Sequence, residues 1–352
     1  MYKVRIIGAG SIGNHLAHSF VNAGFSVEVT DIDKKALLRM EMEIYPQRFT
    51  TWDNRIKLCD FSQIKNYSTD VLVIGTPPDT HLEVALHQLT LCTPRIILIE
   101  KPISHPDLSL LKDLEHIAEQ RNIKILVGYN HRLTRNTLLA TQMINDLEIG
   151  EILSITSQTR ESWDGIMQAH PWLNGPHDSY LSSYLRGGGA LYEHSHALNL
   201  LQYFMSVSRV GEATSVTATM ELVKQNGLNY DRLSVVTLLN IDNKIFHVVQ
   251  DFVTFPPLKE VRITGTLGHI IWKTSTSLDE VLLYSASGIL QTHHKLDKSR
   301  SDDFLPEILH LKSLLDGEIT DSPLNYTHAL LTMKIISAAF ESHNTGTRIY
   351  LK

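Results

Sequence analysis

Apolar runs and helical patterns alternate along the first 130 residues of the chain. The apolar runs are nearly continuous, as in strands buried on both faces, and the segments between them repeat their apolar positions with the period of a helix. The predicted strands are 4–7, 26–30, 70–75, 95–100 and 123–127, and the predicted helices are 16–23, 34–44, 81–91 and 108–121. Strands that alternate with helices of this length predict an α/β unit built on a doubly wound parallel sheet.

The pattern changes after about residue 128, where strand signals follow one another directly. A helix is predicted at 189–204 and a last helix at 325–343, which we expect to pack back toward the first domain. We therefore expect two domains, 1–127 and 128–352, the second an α+β domain with a large, open, mostly antiparallel sheet. Its predicted strands are 151–160, 209–224, 232–240, 244–255, 258–264, 268–273 and 279–284, with a short strand at the C-terminus.

A glycine-rich turn, Gly8-x-Gly10-x-x-Gly13, joins the first predicted strand to the first helix. In a Rossmann fold such glycines permit a tight turn, close approach of the backbone to a pyrophosphate, and close packing of helix on strand. Asp31 ends the next strand, where a carboxylate accepts hydrogen bonds from the ribose hydroxyls of NAD and repels the 2′-phosphate of NADP. A structural turn beside a solvated aspartate is the alternative, and two nearby lysines keep NADP open as the cofactor. The expected cofactor contacts here are Gly8, Gly10, Ser11, Ile12, Gly13 and Asp31.

Further short motifs follow in order along the chain. They are Thr76-Pro77-x-x-x-His81, Glu100-Lys101-Pro102, Gly128-Tyr129-Asn130-His131-Arg132 and Gly187-Gly188-Gly189-Ala190-Leu191, the last opening a predicted helix that contains His196. Each motif alone is modest, but their ordered combination resembles the glucose–fructose oxidoreductase, inositol dehydrogenase and MocA (Gfo/Idh/MocA) family of nicotinamide-dependent sugar dehydrogenases. The resemblance extends over nearly the whole chain.

The resemblance implies roles for individual residues. Lys101 matches the family's lysine beside the nicotinamide and the reacting carbon, and His196 matches the histidine that accepts, or helps to accept, the hydroxyl proton. An imidazole titrates near neutral pH and an ammonium group stabilises a developing alkoxide, so both residue types suit alcohol oxidation. The residues that the resemblance assigns to the cofactor are Thr76, Pro77, His81, Glu100, Lys101 and Asn130.

The segment that carries His196 departs from the family's pattern. Much of the family has an aspartate four residues before this histidine, where this chain has Tyr192. Glu193 lies three residues before His196, and side chains spaced i,i+3 share a helix face. The run from Glu193 through His196 to Asn199 resembles a branch of the family linked to surface-polysaccharide sugars. Glu193 is therefore a third candidate catalytic residue, with substrate binding, orientation of His196 and lining of the pocket as its open roles.

The segment from 160 to 177 is rich in aromatic and hydrogen-bonding side chains, which are the groups that bind sugars. Tryptophan is also commonly buried in cores and interfaces, so packing is the alternative for the tryptophans of this segment. The expected substrate contacts are Arg160, Trp163, His170 and Tyr192.

Composition limits the classes of function. The chain has 352 residues, which favours two domains, and a formal net charge of −6 that argues against a nucleic-acid or basic membrane-binding surface. No apolar run approaches the ~20 residues that span a bilayer. Two cysteines, Cys59 and Cys92, and the absence of a signal-peptide pattern favour the cytoplasm. The 18 histidines show no ligand set typical of zinc, so no metal is expected.

The expected function is hydride transfer between NAD and a secondary alcohol of a sugar, cyclic polyol or nucleotide-sugar, with Lys101 and His196 handling the hydroxyl proton. A ketone or imine reductase acting on a non-sugar substrate, or a non-catalytic NAD-binding regulator, is the alternative. A regulator is expected to have lost the lysine or the histidine, and this chain has both. The resemblance also implies a homodimer or homotetramer, formed through the open face of the second sheet.

Overall fold

Two compact units make up the chain. The computed structural model describes residues 1–61, 66–168 and 172–351. The first unit comprises residues 1–130 and 301–326, and the second comprises residues 131–300 and 327–352. The predicted boundary at residue 127 lies close to the first crossing between the units, whereas residues 301–326, predicted in the second domain, belong to the first unit.

The first unit contains a six-stranded parallel sheet in the order β3-β2-β1-β4-β5-β6. The predicted doubly wound parallel sheet is thereby confirmed. Its strands are β1 (Lys3–Ile7), β2 (Ser26–Asp31), β3 (Ile56–Asp60), β4 (Val71–Ile74), β5 (Ile96–Ile99) and β6 (Lys124–Val127). Its helices are α1 (Ser11–Asn22), α2 (Lys34–Arg39), α3 (Tyr45–Phe49), α4 (His81–Leu89), α5 (Leu111–Arg121) and α10 (Leu305–Asp316), with a π-helical turn, Met40–Ile44, between α2 and α3.

Burial explains which of these elements the sequence pattern reveals. β4 and β5 are buried at every position, as expected for strands with helices on both faces of the sheet. β3 is not predicted, because it is an edge strand whose side chains are mostly partly exposed and it has no continuous apolar run. α10 is not predicted either. Arg95 and Tyr2 hold it in the first unit, by donating to Leu315 O at 2.7 Å and to Asp316 Oδ1 at 2.7 Å.

The second unit is built on a nine-stranded sheet in the order β14-β13-β12-β11-β7-β10-β9-β8-β15. Neighbouring strands are antiparallel except β7 and β10, which pair in parallel. The mostly antiparallel sheet is thus confirmed, but it is not a simple meander, because β7 lies between β10 and β11. Its strands are β7 (Ile152–Arg160), β8 (Ala213–Gln225), β9 (Leu228–Asn240), β10 (Ile245–Asp251), β11 (Leu258–Gly265), β12 (Gly268–Thr274), β13 (Leu278–Ser285), β14 (Leu290–Asp297) and β15 (Ile349–Tyr350).

The second unit contains five α-helices in the described ranges. They are α6 (Arg135–Asn145), α7 (Trp163–Gln168), α8 (Ala190–Glu193), α9 (His196–Val207) and α11 (Tyr326–Thr345). Of these, α6, α8 and α9 pack against the sheet. α9 packs against β7 and β10, and α6 packs against β12 and β13. Along β9 and β10, Val236 and Val248 are fully buried, whereas Val235 and Ile245 are 37% and 47% exposed. This alternation gives the sheet one face under the helices and one open face.

The helix predicted at 189–204 is interrupted. α8 ends at Glu193, where His194 takes φ −89° and ψ 20°, and α9 begins at His196. The predicted i,i+3 relation of Glu193 and His196 on one continuous helix is therefore wrong, because His194 leaves the helical range of ψ. None of the helices in the described ranges is long and apolar enough to cross a membrane.

Candidate functional site

The glycine turn between β1 and α1 leaves no room for a side chain at two of its three glycines. Gly8 has a φ of +114°, and a Cβ there would lie 2.5 Å from Gly75 O. A Cβ on Gly13 would lie 2.1 Å from Gly8 O. Gly10 differs, because a Cβ built on it meets nothing within 4 Å. The first and third glycines therefore serve close packing, and the second faces open space from which a phosphate can approach the backbone.

The start of α1 is electrically suited to an anion. Gly10 is its N-cap and provides no side-chain cap, and the first turn of α1 contains no acidic residue. The N–H groups and the positive end of the helix dipole at such a terminus attract negative charge. Arg48 of α3 adds a cation there, donating to Ser11 O and to Ser11 Oγ, both at 2.8 Å. The motif does not reveal Arg48, because this residue lies 37 positions from Ser11.

Asp31 stands where the sequence predicts, at the end of β2 beside the glycine turn. Its Oδ2 accepts from Ala9 N at 2.8 Å and its Oδ1 accepts from Asp33 N at 2.8 Å. Each carboxylate oxygen has a second lone pair that is able to accept from a hydroxyl. Lys34, one of the lysines that keep NADP open, pairs with Asp60 at 2.5 Å. The glycine turn, Arg48 and Asp31 together fit a pyrophosphate followed by an unphosphorylated ribose.

His81 is a buried link between two turns. It begins α4 and is 1% exposed, with Nε2 lying 2.7 Å from Thr76 O and Nδ1 lying 2.9 Å from Pro102 O. Burial lowers the pKa of His81 to about 4, so the ring is neutral at pH 7. A neutral imidazole has one N–H, so the ring donates to only one of these carbonyls and its other nitrogen packs against the second. The side chain predicted to contact the cofactor thus packs between the backbone of the Thr76 turn and that of the turn that follows Lys101. Pro77, next to Thr76, is exposed.

Glu100 and Lys101 follow β5 directly. Lys101 is partly exposed, and its backbone N donates to Glu100 Oε2 at 3.4 Å. The carboxyl of Glu100 is buried, and a Cβ on Gly128 would lie 2.7 Å from its Oε1. Glu307 of α10 is 1% exposed, and burial together with the charge of Glu100 raises its pKa well above the usual range. The sequence pattern does not reveal this second carboxyl, because Glu307 lies in the unpredicted α10.

Asn130, a predicted cofactor contact, is 5% exposed. Its Nδ2 donates to Asp303 O at 2.9 Å, within the first unit. The amide therefore ties the end of the 1–130 segment to the returning segment 301–326.

In the second unit, His196 lies beside a second histidine. Its ring stacks on that of His131 with centroids 4.3 Å apart and planes at 23°. Both rings line one small cavity with Thr159, Lys259 and Trp272. His131 occurs in the 128–132 motif but carries no predicted role, because its neighbour His196 is 65 positions further along the chain. Within the described part of the chain, no group of three or more His, Cys, Asp or Glu side chains is arranged to hold a metal ion.

Glu193 and Tyr192 point to different surroundings. Glu193 is partly exposed, and Tyr180 donates from its hydroxyl to Glu193 Oε2 at 3.4 Å. Tyr192, a predicted substrate contact, is 2% exposed, and its ring lies 6.1 Å from that of Phe340 in the core of the second unit. Of these two, Glu193 has the side chain accessible to a ligand.

The remaining predicted substrate contacts lie on or after β7. Arg160 ends β7 and pairs through Nε with the buried Asp251 at 2.5 Å, with its side chain 31% exposed. The ring of Trp163 lies 4.5 Å from that of Phe252, and its Nε1 donates to the Tyr230 hydroxyl at 3.1 Å. These contacts agree with the alternative that this tryptophan packs within the protein. His170 lies outside the described residues.

Comparison with known proteins identifies the family. Residues 2–129 match the family description "Oxidoreductase family, NAD-binding Rossmann fold", and residues 137–271 match the "GFO/IDH/MocA C-terminal domain". The fold and the glycine turn define a protein with an NAD-binding Rossmann domain. The chain belongs to the Gfo/Idh/MocA oxidoreductase family, as its ordered motifs predicted.

Individual relatives are distant. The chain is 28% identical over 151 residues to levoglucosan dehydrogenase of Pseudarthrobacter phenanthrenivorans, which covers 43% of this chain and 35% of the relative. It is 25% identical over 172 residues to inositol 2-dehydrogenase of Rhizobium meliloti, covering 47% of this chain and 46% of the relative. The matched segment thus spans less than half the length of these curated relatives. A levoglucosan dehydrogenase structure, solved with NADH and levoglucosan, shares the fold with a TM-score of 0.79 at 16% identity, covering 99% of each chain.

Proposed function

We propose that this protein is an NAD-dependent dehydrogenase that oxidises a secondary alcohol of a sugar, cyclic polyol or nucleotide-sugar. One observation carries the proposal. The glycine turn, the Thr76 turn and the Lys101 turn follow β1, β4 and β5, which are adjacent strands of one parallel sheet. Ligands of such sheets bind at the carboxyl ends of the strands. A lysine on the same edge as a dinucleotide-binding turn suits chemistry on the cofactor.

The cofactor contacts follow from that edge. In this proposal, the glycine turn, the start of α1 and Arg48 hold the pyrophosphate, and Asp31 binds the adenosine ribose. Thr76, Pro77, Glu100 and Asn130 remain predicted to border the cofactor, and His81 acts on it indirectly, by fixing two of the turns. Asp31 favours NAD over NADP, because its charge opposes a 2′-phosphate.

The protein's own residues manage the hydroxyl proton. A bound nicotinamide would supply the hydride acceptor. The ammonium group of Lys101 stabilises negative charge on the substrate oxygen as its proton leaves. His196 accepts that proton, since an imidazole is a suitable base near neutral pH. The stacked ring of His131 restricts rotation of His196, and Glu193 is the candidate for orienting either the substrate or the imidazole.

The names of the relatives support the substrate class. The curated relatives are named for levoglucosan and inositol, a sugar anhydride and a cyclic polyol. Arg160, held at one nitrogen by Asp251 and still partly exposed, is the candidate in the second unit for binding substrate hydroxyls. We retain His170 as a predicted contact.

We also propose that the protein is a homo-oligomer and that it is located in the cytoplasm. Val235 and Ile245 are exposed apolar residues on the open face of the second sheet, which we propose as the interface of a homodimer or homotetramer. Cys59 and Cys92 are free thiols, which suits the reducing cytoplasm.

The first prediction tests the reaction. Purified protein with NAD and a panel of cyclic polyols, free sugars and nucleotide-sugars should produce NADH absorbance with at least one member. Lys101→Met and His196→Asn should each lower kcat/KM by about 10²-fold or more, because each removes a group that acts on the proton in the transition state. NADH affinity, measured by fluorescence titration, should change little.

Two exposed positions supply matched controls. Lys112→Met and His116→Asn make the same substitutions on α5 and should leave kcat/KM unchanged. Full turnover in both Lys101→Met and His196→Asn contradicts the assigned roles. Binding of NADH without turnover of any alcohol, followed by NADH oxidation with a ketone or imine panel, supports the reductase. Binding with no turnover in either direction supports a regulator.

A further inference from the structure

A fully buried carboxylate lies in the second unit, outside the residues assigned above. Asp231 of β9 is 0% exposed. Its Oδ2 accepts from Leu191 N at 2.8 Å and from the Ser234 hydroxyl at 2.5 Å. Its Oδ1 has no hydrogen-bond partner among the described residues. A buried carboxylate with one unsatisfied oxygen is costly, which indicates that its remaining contacts serve a purpose.

The contact with Leu191 caps a helix from a distance. Leu191 is the second residue of α8, and the N-cap of α8 is Gly189, which has no side chain. The first N–H groups of a helix lack partners within the helix and are usually satisfied by an N-cap side chain. Asp231, 40 residues away in the chain, supplies the acceptor that Gly189 lacks.

Gly189, the residue before α8, makes room for this carboxylate. Gly189 has a φ of +90°, and a Cβ there would lie 2.1 Å from Asp231 Oδ1. A Cβ on Gly188 would lie 2.2 Å from Tyr180 O. Any side chain at 189 would therefore displace the carboxylate from Leu191. Gly189 thus makes room for Asp231, whereas Gly188 makes room for the backbone of Tyr180.

The contact between Gly189 and Asp231 lies at the start of the segment that carries the candidate catalytic residues. Glu193 N donates to Gly189 O at 2.9 Å, and His194 N donates to Ala190 O at 2.9 Å. Ser195 N then donates to Tyr192 O at 3.2 Å, and Ala197 N donates to His194 O at 2.9 Å, which leads into α9, whose first residue is His196. A shift at residue 191 is thus passed within five residues to His196. Because α8 has only four residues, it has little internal stability to resist such a shift.

We propose that Asp231 is a positioning residue for the proposed reaction, which fixes Glu193 and His196 by capping α8 through Leu191. The proposal rests on the proposed function for its catalytic consequence, but not for its structural claim. The uncharged acceptor of an amide suffices for the cap. In agreement, burial raises the pKa of Asp231 to about 7, so that the group is partly protonated near neutral pH.

Three variants at Asp231 and Gly189 define the test. Asp231→Leu removes the acceptor and keeps the branching of the side chain, and Asp231→Asn retains an acceptor oxygen. Gly189→Ala leaves Asp231 chemically intact but displaces it, and adds backbone strain because residue 189 has a φ of +90°. Hydrogen exchange of the 190–196 amides, followed by mass spectrometry, needs no substrate. Exchange should be about tenfold faster in Asp231→Leu and in Gly189→Ala, and near wild type in Asp231→Asn. Exchange of the β11–β12 hairpin is the internal control for global folding.

Kinetics separate positioning from mere stability. With an alcohol that the wild type oxidises, kcat of Asp231→Leu should fall by about tenfold or more while KM for NAD is unchanged, since the cofactor turn lies in the other unit. Asp231→Asn should restore kcat to within about threefold, and Ser234→Ala, which keeps the Leu191 contact, should match the wild type.

The outcomes distinguish this proposal from the proposed function. Unchanged exchange at 190–196 in both Gly189→Ala and Asp231→Leu, or equally fast exchange in Asp231→Asn and Asp231→Leu, overturns the cap. Should Asp231→Leu not fold, Asp231→Ala removes the acceptor without adding volume and should again exchange faster than Asp231→Asn, and equal exchange in these two variants overturns the cap. If the wild type oxidises no alcohol but the 190–196 amides exchange faster in Asp231→Leu, the result supports the cap and contradicts only the proposed dehydrogenase function.

Discussion

The three glycines of the first turn show how differently one residue type is constrained within a single motif. Gly8 and Gly13 face backbone atoms of Gly75 and Gly8 at distances that exclude a methyl group, so their role is in the fold itself. Gly10 has a φ of −76°, which any residue adopts, and faces open space. Its role therefore depends on what approaches from outside, which is the backbone contact expected of a pyrophosphate.

The contrast predicts opposite effects of one added methyl group. Gly13→Ala should lower the free energy of unfolding by about 1–3 kcal/mol, because Gly8 O has to move. Gly10→Ala should leave stability unchanged or slightly raised, since Ala adopts its φ without strain, but should weaken NADH binding by about tenfold or more. Urea unfolding and fluorescence titration of the two variants measure both quantities. Undiminished NADH affinity in Gly10→Ala contradicts the assigned approach of the phosphate.

At the scale of elements, single buried side chains contact segments that are far apart in the sequence and that the hydrophobic pattern predicts as separate elements. His81 begins α4 and packs between the turns after β4 and β5, with its single N–H donated to either Thr76 O or Pro102 O. Asp231 of β9 caps α8 in the same manner. Both groups are buried, and both have shifted pKa values because burial disfavours their charged forms.

The buried His81 predicts a dependence of stability on pH. Its pKa falls from 6.5 to about 4 on folding, so the unfolded chain binds the extra proton between these values. The stability contributed by the neutral ring is complete above pH 6.5 and is lost as the pH falls toward 4, by at most about 3 kcal/mol. Urea unfolding from pH 7 to pH 4 should show a shallower decline for His81→Gln than for the wild type. His18 and His310, whose pKa values burial also lowers, are present in both proteins, so the difference isolates His81. Parallel curves for the two proteins contradict the assignment.

For the molecule as a whole, both units are discontinuous in sequence. The chain passes between them after residues 130, 300 and 326, so each unit is completed by a segment from the C-terminal part of the chain. α11 completes the second unit through Thr332, which accepts from Asn199 Nδ2 at 2.9 Å and donates to Gln202 Oε1 at 2.7 Å. Asn199 Oδ1 in turn accepts from the buried Arg132 at 2.6 Å. Asn199 therefore serves in the internal structure of the second unit.

Thr332→Val tests this completion of the second unit. The substitution preserves shape but leaves Asn199 and Gln202 without a partner at that point, so unfolding should become easier by about 1–3 kcal/mol. Thr345→Val removes an exposed hydroxyl at the end of the same helix and should change stability by less than about 0.5 kcal/mol. Urea unfolding of the two variants measures the difference. Equal stabilities contradict a structural role for the Asn199–Thr332 contact.

Prediction from the sequence succeeds where the signal is local. The central strands of the first sheet are recognisable from continuous apolar runs, and the glycine turn is recognisable from its position between strand and helix. It fails at β14, whose exposed polar residues give no apolar alternation because it is an edge strand. It also joins α8 and α9 into one helix, since the apolar periodicity continues across the break at His194.

The sequence by itself determined the parallel sheet, the dinucleotide-binding turn with Asp31, the family, and the candidates Lys101 and His196, because each of these depends on short local patterns and on their order along the chain. Only the tertiary structure decided that Arg48 stands at Ser11 and that Asp231 caps the segment leading to His196. It likewise showed that His81 and Tyr192 are buried and that residues 301–326 belong to the first unit. These facts depend on packing between segments far apart in the chain, where proximity results from burial of many side chains at once and leaves no local pattern to read.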